Sequence, residues 1–310
     1  MQAILATDRT DVVGIADTAP EMVHAALGMA SGAVVADGLD GLLDLGLDGV
    51  VIATPSALHA EQSIRALRRG VTVFCQKPLG RTAGEVEAVL QAAQDADRLL
   101  GVDLSYRATE GMIRIRDLIR SGALGPVHAI DLVFHNAYGP DKPWFYDAAL
   151  SGGGCLMDLG VHLIDLALWV LDFPPVADVG GHLYAKGDRL PAASAMVEDY
   201  AVATVTLATG CVLRIACSWH LHAGQDAVIS AAFYGRDGGA ALRNLDGSFY
   251  DFVAERYSGT ARQTLAAPPD AWGGRNGAEW AIRLAECNCF DPMTLRLVDV
   301  AKVLDRIYGR

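Results

Sequence analysis

The segment Gly49–Cys75, GVVIATPSALHAEQSIRALRRGVTVFC, decides the fold. Gly49–Ala53 is a nearly all-apolar run, the pattern of a strand covered on both faces. Ser56–Arg69 reads as a helix, and Gly70 closes it. Val71–Cys75 is a second apolar strand. A strand, a helix and a strand of these lengths make a parallel crossover unit. The same alternation runs outward on both sides. Upstream, Asp11–Ala16 reads as a strand ending at Asp17, and Thr18-Ala19-Pro20-Glu21 opens a helix with Pro near its start. Ala33–Ala36 is a short strand and Leu39–Leu45 a short helix. Downstream, Thr82–Ala96 is a helix and Leu99–Leu104 a strand. Residues 1–104 are therefore expected to form an α/β domain with a doubly wound parallel sheet.

The pattern changes after Tyr106. Gly111–Arg120 reads as a helix, Gly125-Pro126 as a turn, and Val127–His135 as a strand with one exposed face. A loop rich in Gly, Pro and Trp, Asn136–Gly154, leads to a helix at Cys155–Leu171. Strand-like runs follow at Val179–Tyr184, Asp199–Leu207, Cys211–His222, Ala227–Tyr234, Ala240–Leu245 and Ser248–Val253. Thr209-Gly210 and Asp246-Gly247 are hairpin signals between them. Residues 278–289 and 292–308 read as helices. Residues 105–310 thus predict an α+β domain with a large, mainly antiparallel sheet. The boundary near residue 104 has no flexible linker, and 310 residues suit two domains.

Composition narrows the function. The chain carries 25 basic and 37 acidic residues, a net charge of −12. Such a surface repels phosphate backbones and anionic lipid, and the densest basic cluster, Arg65, Arg68 and Arg69, reads as a solvated helix stripe. No nucleic-acid or membrane partner is expected. The apolar helix Leu159–Leu171 contains His162 and Asp165 and is too short and polar to span a bilayer. The six cysteines sit inside apolar runs in a long chain without a signal peptide, which points to buried thiols in a reducing cytoplasm. Cys287-Asn288-Cys289 lacks the second pair that a structural zinc site needs.

Open α/β sheets bind ligands beyond the carboxyl ends of their strands. Those ends carry Asp17, then Thr54-Pro55-Ser56 with His59 one turn on, then Gln76-Lys77-Pro78, then Ser105-Tyr106-Arg107. Asp17 suits the hydroxyls of an adenosine ribose and would repel a 2′-phosphate; it also suits the start of the helix before Pro20. Lys77 could be a surface lysine in a turn. In the second domain, Asp158 and His162 lie four apart, so an α-helix would put them on one face. A histidine there suits reversible proton transfer. The pair could also ligate a metal, although no convincing third ligand lies nearby, and none is expected. Asp165 reads as structural. His220 and His222 alternate along one expected strand, facing either a ligand or the surface. Tyr138, Trp144 and Tyr146 either stack on a ring or anchor their loop.

Taken in order, these motifs resemble the Gfo/Idh/MocA dehydrogenase family. Val50–Val86, VVIATPSALHAEQSIRALRRGVTVFCQKPLGRTAGEV, is similar to the family's A-T-P turn, H-x-x-x-A-x-x-A-L-x-x-G helix and E-K-P. Ser151–Asp165, SGGGCLMDLGVHLID, is similar to its G-G-G-x-x-x-D-x-G-x-H-x-x-D. The closing VLDRIYGR is also typical, so the resemblance spans nearly the whole chain. It implies a Rossmann domain over 1–104 and a substrate and oligomerisation domain over 105–310. The implied reaction is hydride transfer between NAD(P), with NAD favoured over NADP by Asp17, and a secondary hydroxyl of a sugar, sugar derivative or cyclic polyol. His162 is implied as proton acceptor, Asp158 as its neighbour on the substrate, and Lys77 as the contact to the reacting oxygen. The implied cofactor residues are Asp17, Thr54, Pro55, Ser56, His59, Gln76, Lys77 and Arg107. A homodimer or homotetramer is implied. The alternatives are a non-catalytic sugar- or cofactor-sensing member, and an enzyme that reduces its product again without net NADH release.

Two departures stand out. Gln76 replaces the usual Glu before Lys77. A first strand and a glycine-rich G-x-G-x-x-G loop should also precede the ribose-binding acid, yet only sixteen residues precede Asp17. Met1–Ala6 reads as the tail of the helix after that loop, so the natural start is expected upstream; the alternative is a genuinely shortened homologue with impaired or no NAD binding. Without that strand, those ending at Asp17 and Thr54 should stand about 9–10 Å apart, too far to pair.

Overall fold

The computed structural model describes residues 1–191, 194 and 196–310. In chain order its elements begin with α1 (Gln2–Leu5), β1 (Gly14–Ile15), α2 (Pro20–Met29), β2 (Val34–Val35), α3 (Gly38–Leu43) and β3 (Gly49–Ile52). Next come α4 (Ser56–Arg68), β4 (Thr72–Gln76), α5 (Ala83–Ala96), β5 (Leu100–Asp103), α6 (Glu110–Arg120) and β6 (Val127–Asn136). Then follow α7 (Ala148–Ser151), a π turn (Leu156–Gly160), α8 (Val161–Val170), β7 (Val176–Ala185), β8 (Asp188–Arg189), β9 (Tyr200–Leu207) and β10 (Val212–Ser218). The chain ends with β11 (Ala227–Gly235), β12 (Gly239–Asn244), β13 (Phe252–Ser258), β14 (Ala261–Ala266), α9 (Arg275–Glu286) and α10 (Leu297–Tyr308).

The first compact unit comprises Met1–Gly80, Gly84–Ser105 and Gly273–Leu295. The last segment corrects the sequence reading, which placed it in the second domain. Its helix α9 is amphipathic and lays Trp280 and Ala281 against Phe74, Leu99 and Ile4. Glycine makes that approach possible: a Cβ on Gly101 would stand 2.8 Å from the Phe74 ring and 3.0 Å from Trp280. Helix α4 packs on β3 and β4, and β4, covered on both faces, is buried from Thr72 to Cys75. The parallel pairing divides into two ladders, β1–β2 and β3–β4–β5. Among the described residues β1 and β3 share no ladder. Apolar side chains stand exposed along the short strands: Val34, Val35 and Val51 are each about half accessible.

The second unit comprises Arg81–Ala83, Tyr106–Trp272 and Arg296–Arg310. Its nine-stranded sheet has the order β14-β13-β12-β11-β6-β10-β9-β7-β8. The expected antiparallel pattern holds except at the centre, where β10 runs parallel to β6, pairing Val212 with Ala129 through Ser218 with His135. Strand β14 follows a Ser258–Ala261 turn that the sequence does not signal strongly. Alternation sorts the two faces. Ile130, Leu132 and Phe134 of β6 and Leu213, Ile215 and Cys217 of β10 enter one core under α6, α8 and α10. Asp131, Arg214, His135 and Ser218 lie on the other face, where Asp131 pairs with Arg214 and His135 Nδ1 lies 2.8 Å from Ser218 Oγ.

The helical stretch Ala148–Val170 is, at 23 residues, long and apolar enough to cross a membrane by length and composition, contrary to the sequence expectation. Its most apolar window is, however, 89% buried inside the protein. Here it serves as the core helix of the second unit.

Cys75, Cys155, Cys211 and Cys217 are buried thiols, whereas Cys287 and Cys289 form a disulfide in an exposed loop, which corrects the expectation of six buried thiols. Burial pushes Cys75 up to about 12 and Cys211 up to about 11. At pH ~8 only about one Cys75 in ten thousand is then a thiolate. The four buried cysteines should resist iodoacetamide in the native protein and react on unfolding. Peptide mass mapping checks this, and prompt native labelling of Cys75 would contradict it.

Candidate active site

In the first unit, the expected residues gather at the carboxyl ends of the parallel strands. Asp17, just beyond β1, is exposed, and its Oδ1 accepts the Ala19 N–H at 2.8 Å. It thus shapes the turn into α2, the local role the sequence left open beside ribose binding. After β3, Thr54 Oγ1 lies 2.7 Å from Gln62 Oε1 and donates to it. Ser56 and His59 are buried in the first turns of α4. His59 ties two strand-end turns together: Nε2 lies 2.6 Å from the Thr54 carbonyl and Nδ1 lies 2.7 Å from the Pro78 carbonyl. Burial lowers its pKa, and the two carbonyls pull in the opposite direction. Gln76 ends β4 opposite Asp103 of β5. Its Nε2 donates to Asp103 Oδ2 at 3.0 Å, and Asn276 Nδ2 reaches Asp103 Oδ1 at 3.4 Å. An amide at 76 suits this neighbour, because a glutamate would set two carboxylates side by side. Lys77 follows at the strand end, half-buried.

In the second unit, the loop Ser151–Gly154 turns the chain into the core helix. Gly152 adopts φ +85°, which a side chain disfavours. Gly153 and Gly154 serve close approach: a Cβ on Gly153 would collide with the Tyr308 hydroxyl, and one on Gly154 with the Glu198 carbonyl oxygen. The helix then opens with the π turn rather than the α turn expected, and the Val161 N–H reaches the Leu156 carbonyl five residues back. Asp158 sits inside this widened turn, and His162 lies in the first turn of α8. Asp158 Oδ2 accepts the Trp219 indole N–H at 3.1 Å. His162 is 7% exposed, and its ring lies 5.0 Å from that of Tyr106, edge-on. Burial first, and then the charge of Asp158, push the Tyr106 phenol well above its ordinary range. Asp158 and His162 therefore share an aromatic setting that includes Tyr106 and Trp219.

The loop aromatics separate. Tyr146 comes within 5.6 Å of the Trp219 ring and 6.4 Å of the His220 ring, and burial followed by Asp158 raises its pKa. Tyr138 instead donates to Asp226 at 2.6 Å, and Trp144 stacks on Phe145 at 3.8 Å. His220 and His222 are not on a strand, because β10 ends at Ser218; His220 has φ +56° in the loop beyond it.

Arg107 departs from the expected cofactor set. The chain has entered the second unit by Tyr106. There the guanidinium grips Asp165 with both Nε, at 2.6 Å, and Nη2. Asp165 is 1% exposed, and a buried carboxylate gains most from a two-pronged donor. Burial raises the Asp165 pKa, and Arg107 opposes that rise. The sequence reading of Asp165 as structural agrees with this geometry. No group of three or more His, Cys, Asp or Glu side chains suited to a metal ion occurs among the described residues.

Glu198 is the residue that sequence reasoning missed. It is 1% exposed, just before β9, and faces the start of the π turn. Its carboxyl accepts the Gly154 N–H at 2.9 Å, the Leu156 N–H at 3.0 Å and the Tyr308 hydroxyl at 2.8 Å. Burial pushes its pKa up, and these donors resist. Nothing in Val197-Glu198-Asp199 marks it locally; the only signals were the glycines it approaches and the VLDRIYGR stretch that carries Tyr308.

Comparison with known proteins gives a consistent picture. Residues 1–104 match the model of the oxidoreductase family with an NAD-binding Rossmann fold, and residues 112–241 match that of the GFO/IDH/MocA C-terminal domain. The D-glucoside 3-dehydrogenase of Escherichia coli strain K12 is 28% identical over 65% of this chain and 60% of its own length. The levoglucosan dehydrogenase of Pseudarthrobacter phenanthrenivorans is 28% identical over 61% of this chain and 53% of its own. The matched chain thus spans just over half the length of these curated relatives. GenD2 from gentamicin A biosynthesis, solved in complex with NAD, shares the fold at TM-score 0.81 and 24% identity, over 99% of this chain and 88% of GenD2. Each matched stretch contains one of the two motifs, and the chain belongs to the Gfo/Idh/MocA family of oxidoreductases.

Proposed function

We propose that this protein is an NAD-dependent oxidoreductase acting on a secondary hydroxyl of a sugar, sugar derivative or cyclic polyol. The observation that carries this reading is the setting of Asp158 and His162: a proton-accepting imidazole and a carboxylate near one buried tyrosine, with an indole N–H fixing the acid. When bound, NAD(P) supplies the hydride acceptor or donor. The strand-end residues of the first unit suit such a cofactor in their chemistry: a carboxylate at Asp17 for ribose hydroxyls, hydroxyls at Thr54 and Ser56, and the Lys77 ammonium.

In this reading His162 takes the hydroxyl proton of the substrate and returns it in the reverse direction. Asp158, held by Trp219, hydrogen-bonds the substrate beside it. Lys77 keeps the role implied by the resemblance, an ammonium donor that favours anionic character on an oxygen. Tyr146, near Trp219 and His220, offers an aromatic face to a sugar ring. The relatives support the substrate class, since two are named for glucoside and levoglucosan oxidation. Assembly as a homodimer or homotetramer belongs to the same reading, with the outer face of the nine-stranded sheet, where Val133, Val202 and Val228 are half-buried and Tyr234 is exposed, as its candidate surface.

The preference for NAD rests on Asp17. Its exposed carboxylate repels a 2′-phosphate, so Asp17→Ser should relax the NAD:NADP affinity ratio by about tenfold or more, or ~1.4 kcal/mol. Calorimetric titration of both nucleotides into wild type and variant checks this. An unchanged ratio would remove Asp17 from the cofactor set, and failure of wild type to bind either nucleotide would favour a sensing protein that binds sugar alone.

A further inference from the structure

The buried carboxyl of Glu198 has no part in the proposed chemistry, yet it accepts from two main-chain N–H groups and a tyrosine hydroxyl. We infer that Glu198, with Tyr308, is a positioning pair that sets the π turn and thereby the placement of Asp158 against Trp219. The inference rests on the proposed roles of Asp158 and His162.

The contacts all run in one direction. Gly154 N–H, Leu156 N–H and the Tyr308 hydroxyl each donate, so the pocket is built for an acceptor. Leu156 opens the π turn and Gly154 lies two residues before it, where the first N–H groups of a helix otherwise lack partners. The Glu198 main chain holds the same segment, because its carbonyl accepts the Cys155 N–H at 3.0 Å. Three consecutive residues, 154 to 156, are thus fastened to one glutamate. Asp158 N–H in turn bonds the Gly154 carbonyl at 2.9 Å. From Glu198 to the Asp158 backbone there is one intervening residue, and from the Asp158 side chain to Trp219 one hydrogen bond.

Glycine occupies 153 and 154 for a steric reason. Both positions lie against this pair too closely for a Cβ. Gly153 and Gly154 therefore let the turn approach the Tyr308 ring and the Glu198 main chain closely. Tyr308 brings the end of α10 into the same network, and Arg310 stacks over its ring at 4.5 Å. Two segments distant in the chain, 198 and 308, thereby converge on the turn that carries the acid.

Glu198→Gln keeps the shape but turns one oxygen into a donor that faces other donors. Tyr308→Phe removes one hydrogen bond and keeps the ring. The Trp219 indole N–H is a local reporter, assigned by Trp219→Phe in an amide correlation spectrum. In Glu198→Gln its resonance should move toward its position in Asp158→Asn. The kcat should fall by about ten- to a hundredfold, the scale of a small misplacement at a reacting centre, with the affinity for NAD unchanged. Tyr308→Phe should shift both readouts in the same direction by less. A folded Glu198→Gln protein with an unmoved Trp219 resonance and wild-type kcat would overturn the inference. If Glu198→Gln fails to fold, Tyr308→Phe decides: an unmoved resonance and wild-type kcat there overturn it equally. If Asp158→Asn and His162→Asn both keep full activity, the reading of the site fails instead, and the Trp219 resonance alone judges the positioning role.

Discussion

His162→Asn is expected to lower kcat/KM by about a hundred- to ten-thousandfold, the contribution of a well-placed general acid–base group. Asparagine preserves polarity and approximate size but cannot exchange a proton near neutral pH. The ring is 7% exposed and packed edge-on against Tyr106, so solvent has little access to replace it as proton carrier. The loss should lie mainly in kcat, because a proton acceptor acts in the transition state more than in binding. One limb of the wild-type pH–rate profile should disappear in the variant. NAD affinity, assigned in the proposed reading to the strand ends of the first unit, should stay constant. Steady-state kinetics over a pH series together with calorimetry check this. A variant with activity within a few-fold of wild type would remove His162 from the chemistry.

Arg107→Met is expected to destabilise the protein by about 3–5 kcal/mol, the cost of leaving one partner of a buried ion pair without its counter-ion. Asp165 is 1% exposed and is gripped by two guanidinium nitrogens. The same guanidinium lies 5.7 Å from the Trp169 ring centre and 5.5 Å from that of Phe173, so its removal also forfeits cation–π contact. The double variant Arg107→Met with Asp165→Leu should recover much of the loss, since apolar replacement of a buried pair is often tolerated. Urea unfolding of the three proteins measures this. A single-variant loss below about 1 kcal/mol would mean that solvent reaches the pair.

What the sequence made legible follows from range. Val71–Cys75 reads as a doubly covered strand because five adjacent residues carry the pattern, and β4 is buried accordingly. The boundary near residue 104 also reads locally, where one alternation gives way to another. The return of 273–295 to the first unit does not, because an amphipathic helix shows that it has a buried face without saying what covers it. The parallel pairing of β6 with β10 joins strands some eighty residues apart and leaves no local trace. At the site, Asp158 and His162 were legible through their spacing, although the turn between them is π rather than α. Glu198, Trp219 and the Arg107–Asp165 pair were not, because each acts across the tertiary fold on a residue the sequence had marked. Arg107 was read toward the cofactor from its position after a strand end, whereas the partner it grips in the fold lies 58 residues on.

The central claim is hydride transfer between a nicotinamide nucleotide and a sugar or polyol hydroxyl, with His162 moving the proton. The most direct test follows the near-ultraviolet absorbance of the reduced nicotinamide. Purified protein is mixed with NAD and each member of a panel of glycosides, anhydrosugars and inositols, and with NADH and the corresponding keto compounds. Reduction of NAD by at least one member, oxidation of NADH by its keto partner, and loss of both in His162→Asn are expected. A folded protein that binds the nucleotide yet turns over none of the panel in either direction, or one whose turnover is untouched by His162→Asn, would contradict it.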